Sequence, residues 1–189
     1  HNTGGTGAQT PRDVTAYISD ASDLTSSFTI TRPPSALNNT RVFWEIVEFI
    51  GEVDTDNEMV VRSVGTVNFT NSMLVATGSV VSGVVDPSKL VIFITGAANR
   101  NTGSNHYAGL VTAEWDATSS VPVVRRGATG SSIIDVSYVV VEFVGVNWQV
   151  QRVEHTYATS SAVETESINP VNSLARTFLH VQKRMGATT

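Results

Sequence analysis

The chain contains no cysteine, which excludes disulfide staples and thiolate metal sites and leaves the redox character of its compartment unread. No apolar run approaches the roughly 18 to 20 residues that a membrane-spanning helix requires, so membrane insertion is not expected. Basic residues are few and scattered: 12 Lys and Arg stand against 17 Asp and Glu, for a net charge of -5. Phosphate backbones are bound through clustered Lys and Arg, so nucleic acid is not an expected partner. His1, His106, His155 and His180 are too dispersed for a local ligand motif, and there is neither a G-x-S-x-G elbow nor a phosphate-cradling Walker loop. No metal or other cofactor is therefore expected. The chain opens on His rather than Met, which reads as a processed, trimmed or tagged start.

What is present is 189 residues with 41% hydrophobic content, enough to fill a core. The apolar residues fall in period-two runs rich in Val, Ile, Phe, Tyr and Thr, bounded by Gly, Asn, Asp, Ser and Pro. That pattern predicts strands over residues 14–18, 26–32, 41–50, 59–69, 90–95, 110–115, 121–125, 134–144, 148–155 and 175–182. No segment carries the i, i+3, i+4, i+7 stripe of an amphipathic helix. The expected class is all-β, with antiparallel strands in sandwich or jelly-roll-like modules.

The chain also rhymes with itself. "RVFWEIVEFIGEV" begins at Arg41 and "DVSYVVVEFVGVN" at Asp135; at an offset of 94, five of the eleven positions in 41–51 match. About one match is expected by chance from ordinary residue frequencies. Upstream, "DLTSSFTITR" from Asp23 aligns with "DATSSVPVVR" from Asp116. The expectation is a tandem duplication, with module 1 over residues 11–98, a linker over 99–106 and module 2 over 107–185. Residues 1–10, "HNTGGTGAQT", read as a flexible arm and 186–189 as a short tail.

Each rhyming phrase places a glutamate inside an apolar run. Alternate residues of a strand share a face, so Val42, Trp44, Ile46, Glu48 and Ile50 fall on one side, and Val136, Tyr138, Val140, Glu142 and Val144 on its counterpart. A carboxylate on an apolar face needs a partner. A tight hairpin near Val146 would set Glu142 diagonal to Arg152, and Arg62 follows Glu48 after a longer loop. Two structural ion pairs are expected, Glu48 with Arg62 and Glu142 with Arg152. Glycosidases also need two carboxylates, but equivalent residues of a duplication sit in separate modules rather than astride one bond.

Other features have bland readings beside sharper ones. His1 could head a copper-binding brace, but it leads a Gly-rich arm unsuited to a rigid site. "DTDNE" from Asp54 is oxygen-rich, yet lacks the Gly and distal Glu of the twelve-residue calcium loop and reads as a solvated hairpin end. Trp44, Trp115 and Trp148, with Tyr17, Tyr107, Tyr138 and Tyr157, could form a sugar-stacking platform, although strand aromatics usually pack a core or an interface. Asn38 and Asn68 each begin an N-glycosylation triplet.

"VVDPSKLVIFITG" from Val84, then "LVTAEWDATSSVPVVRR" and "VSYVVVEFVGVNWQVQR", resembles repeated β modules of tailed-bacteriophage virion proteins. The resemblance covers most of residues 68–152. Asn169-Pro170 stands in the second copy where the first has Asp86-Pro87. What it implies is a non-enzymatic structural protein of the virion, a tail fibre or tail-tip component or a head-surface decoration. Its partners would be copies of itself or other virion subunits, with a host surface glycan as a further one. The rival expectation is a secreted carbohydrate-binding or adhesion module.

Overall fold

A computed structural model describes residues 15–17, 29–31, 45–46, 48, 50–52, 54–70, 72–99, 110–127, 134–155, 165, 167–171 and 173–184. The expected arm at 1–10, linker residues 100–106, tail at 186–189, Trp44 and Asn38 lie outside them.

The described residues form eight strands: β1 Thr15–Tyr17, β2 Thr29–Thr31, β3 Val60–Phe69, β4 Val75–Thr77, β5 Leu90–Asn99, β6 Val111–Asp116, β7 Val121–Arg126 and β8 Ile134–Glu142. Every pairing is antiparallel, and the described residues include no α-helix, only 3-10 turns at Pro87–Lys89 and Leu174–Arg176. The protein is all-β, as its period-two runs predict. β1 and β2 form a two-stranded ribbon; the rest form two three-stranded sheets, β3-β8-β5 and β4-β7-β6. β5 lies beside β6 and β3 beside β4, so the sheets face each other as a sandwich. A single cluster fills the space between them, drawing Val67 and Phe69 from β3, Ala76 from β4, Leu90 and Ile92 from β5, Val111 from β6, Val124 from β7 and Ile134, Val136, Tyr138 and Val140 from β8.

The division at 99–106 is a division of sequence; in space the two segments interleave. β8 lies between β3 and β5, and β4 pairs with β7. β8 is central because its run "IDVSYVVVE" is apolar on both faces: every residue but Asp135 and Val139 is buried. Bulges flank it, with Arg62 the extra residue in β3 and Thr95 the extra residue in β5. Such insertions bend a strand and re-aim a side chain. Thr95 Oγ1 uses its position to donate to Ser137 Oγ at 2.9 Å.

Tyr138 ties the sheets together. Its ring lies over Gly65, its cross-strand neighbour, and its tip reaches Gly78 beyond β4. A Cβ at either glycine would strike the phenol. Burial raises the Tyr138 pKa, opposed by a hydrogen bond with the Ser79 backbone.

Among the described residues, three expected strands show no ladder. Residues 45, 46, 48 and 50, the described part of 41–50, carry no ladder, nor do 148–155 or 175–182. Their alternation is real, but a strand needs a partner's backbone. Residues 151 and 154 use side chains instead, Gln151 with Asn169 and Glu154 with Arg184.

The β6–β7 hairpin turns through residues 117–120, with Asp116 Oδ1 accepting from the Thr118 and Ser119 amides. Ser120 then sits at φ 53°, the left-handed region. An L side chain is strained there and glycine is not, although glycine also loosens the unfolded chain. Ser120→Gly is expected to be stabilising by about 0.5 kcal/mol, read as a raised urea midpoint at unchanged slope.

Candidate functional site

The glutamate of the second phrase sits at the end of β8 opposite Val60 and Leu90, and is 0% exposed. Its carboxylate is enclosed by donors. Oε2 accepts from Arg62 Nε at 2.6 Å; Oε1 accepts from the amides of Val85 at 2.9 Å and Asp86 at 2.5 Å. Arg62 is the bulge residue of β3, which brings its guanidinium down onto an acid on the adjoining strand. The two amides come from "VVDPSK", so one side chain fastens that loop to the central strand.

The loop reinforces the arrangement. Asp86 Oδ1 accepts from Ser88 N at 2.9 Å and Ser88 Oγ at 2.6 Å, capping the 3-10 turn, and these bonds hold its carboxyl below the ordinary range. Lys89 Nζ donates to the carbonyl of Gly145 at 2.9 Å, and its own carbonyl accepts from Phe143 N at 3.2 Å. Arg152 Nη1 donates to Ser88 O at 3.2 Å. A carboxylate so enclosed has no lone pair facing solvent; its chemistry is to hold a loop.

The expected pairings are thereby corrected. Arg62 belongs to Glu142 and Arg152 to the Ser88 carbonyl; Glu48 is exposed, beside exposed Ile46 and Ile50. The expected partners follow from hairpins within each phrase. In the structure β3 pairs directly with β8, bringing Arg62 to Glu142, while Arg152 lies beyond a turn where no strand forms.

"DTDNE" keeps Asp54, Asp56 and Asn57 exposed, as expected of a solvated hairpin end, while its backbone is fastened to the sandwich. Gly145 N donates to Glu58 O at 3.0 Å, Asn147 N to Asp56 O at 2.9 Å and Trp148 Nε1 to Asn57 O at 2.9 Å. Glu58 folds back to accept from Asp54 N at 2.8 Å. Trp148 also packs on Phe143, ring centroids 4.8 Å apart, and Trp115 packs against the core. Neither tryptophan is presented as a stacking platform.

Arg126 escaped the sequence-based reading. It is 3% exposed, with Nε donating to Met73 O at 2.6 Å, Nη2 to Thr70 O at 2.7 Å and its guanidinium 5.3 Å from the Phe69 ring centre. The signal was available: continuing the alternation Pro122, Val124 puts Arg126 on the apolar face.

The last feature is the segment 173–184, which crosses the sandwich without joining a sheet. Phe178 lies 6.2 Å from Phe143 and His180 4.8 Å from Phe93, ring centre to ring centre. The Gln182 amide stands in for a peptide group between two strand edges, donating to Ile92 O of β5 and accepting from Ala113 N of β6, each at 2.5 Å. Arg184 reaches Glu154 at 2.8 Å. Desolvation lowers the His180 pKa, against a smaller opposing effect of the Ile92 backbone. Comparison with family models, curated proteins and solved structures gives no match.

Proposed function

We propose that this chain is a non-enzymatic structural subunit of a virus particle, a tail or head-surface component that assembles through contacts with copies of itself or neighbouring subunits. The observation that carries this reading is the apolar surface of the segment 173–184: Leu174, Phe178, Leu179 and Val181 are all exposed on a stretch tied to the sandwich by its other side chains. Four large apolar side chains exposed on one short segment are what a contact surface awaiting a partner presents. The resemblance of "VVDPSKLVIFITG" and "VSYVVVEFVGVNWQVQR" to virion repeats supports the same class. Its motifs are also where the fold is fastened, since Glu142 and Lys89 lie within them.

The reading is tested by sedimentation and electron microscopy of the purified full chain, and by identifying it among the proteins of purified particles. Ordered oligomers, or a fixed copy number per particle, are expected. A chain that stays monomeric, is missing from particles and binds on a glycan array would replace the reading with a carbohydrate-binding module.

A further inference from the structure

The exposed apolar side chains of 173–184 are displayed by a chain held in place. Phe178, His180 and Gln182 reach the sandwich, although Phe178 and His180 are themselves exposed. In an extended chain the intervening residues point away, and Leu179 and Val181 are 88% and 71% exposed, followed by exposed Lys183. The segment is also basic, containing Arg176, Lys183 and Arg184 and no acid.

The complementary composition lies elsewhere in the same chain. Residues 45–58 contain Glu45, Glu48, Glu52, Asp54, Asp56 and Glu58 and no base. Isoleucines are interleaved here too: Ile46 and Ile50 are 59% and 89% exposed, with Glu48 and Glu52 also exposed. Positions 46, 48, 50 and 52 thus read apolar, acidic, apolar, acidic. Each segment repels its own copy and attracts the other, the electrostatic pattern that selects one register between partners. Within one chain neither segment covers the other, because the side chains of both remain exposed. The two also arise on the same side of the sandwich: loop 54–58 docks on Trp148, and Phe143 lies between Trp148 and Phe178.

We infer that the exposed Ile46, Glu48, Ile50 and Glu52 of one copy dock against the segment 174–183 of a second copy, the isoleucines on its exposed apolar side chains and the carboxylates beside Lys183 and Arg176. This rests on the assembly reading above and names the surface it uses. A second copy is the fitting occupant because one chain carries both halves of the contact.

The test is sedimentation of the full chain over a range of concentration and salt. Three samples are compared: wild type, an Arg176→Glu/Lys183→Glu variant and a Glu48→Lys/Glu52→Lys variant, with thermal melts confirming that each folds. Wild-type association is expected to weaken as salt rises, and each variant to self-associate about tenfold more weakly or worse. Mixing the two variants should restore association to near the wild-type level. Variants that self-associate like wild type, or a mixture that restores nothing, would overturn the inference while leaving the assembly reading intact. A wild-type chain monomeric throughout would overturn the inference, and its absence from purified particles would then remove the reading as well.

Discussion

Glu142→Ala is expected to destabilise the sandwich by about 3–5 kcal/mol, the range for breaking a buried ion pair by removing one partner. The carboxylate is 0% exposed and collects three donors from two separate segments. Without it the Arg62 guanidinium, its side chain 18% exposed, keeps a charge with no counterion at that position, and the Val85 and Asp86 amides lose their acceptor. Each buried donor left unmade costs about 1–3 kcal/mol. Glu142→Gln should recover only part of the loss, because its single carbonyl oxygen can face the loop amides or Arg62 but not both. Replacing Arg62 and Glu142 together by leucine should hurt less than Glu142→Ala, since no charge remains, yet should not reach wild type, because the two amides stay unpaired. Single domains are stable by about 5–15 kcal/mol in all, so the alanine variant should show a large drop in denaturant midpoint. If its midpoint stays within error of wild type, the loop is held by something other than this carboxylate.

How much of this anchor could be read from the chain depends on distance along it. β3, β5, β6, β7 and β8 each begin within one residue of the period-two run that predicts them, as in 59–69 for Val60–Phe69 and 121–125 for Val121–Arg126. Alternation is a local property, set by which faces meet a core, and it survives translation into structure. Pairing is not local. Arg152 is the partner a hairpin would supply to Glu142, ten residues away, whereas the partner found is 80 residues away on a strand of the other half. Nothing in the composition of "MVVRSVGTVNF" announces that its arginine occupies a bulge beside β8. The same limit explains why 175–182 reads as a strand and forms none: its alternating side chains do reach the sandwich, but the link across β5 and β6 is made by a glutamine amide rather than by its backbone. The exposed Ile46, Glu48 and Ile50 are a third instance. They copy the alternation of β8 without a sheet on both sides to bury it.

Gly145→Ala should separate the two rhyming phrases by experiment. Gly145 is buried, and a Cβ there would run into the carbonyl group of Asp56 and come within 2.7 Å of the Asn57 nitrogen. These are backbone atoms and cannot rotate aside, so the 54–58 loop would have to lift. Lifting it breaks the bonds from Gly145 N to Glu58 O, Asn147 N to Asp56 O and Trp148 Nε1 to Asn57 O. Overpacking of this kind costs about 1–3 kcal/mol, and each lost hydrogen bond adds about 0.5–1.5, so a loss of about 3 kcal/mol or more is expected. Trp148 gives an independent readout, since its indole leaves the Asn57 carbonyl and its packing on Phe143 loosens, which should shift and broaden its fluorescence before global unfolding. The matching change in the first phrase is Gly51→Ala. Gly51 is exposed, and surface substitutions usually move stability by about 0.5 kcal/mol or less. Equal losses at the two glycines would mean that the first phrase is packed like the second. A large loss at Gly145 alone would mean that two stretches sharing five of eleven residues are held by different surroundings, one sealed into the sandwich and the other left facing outward.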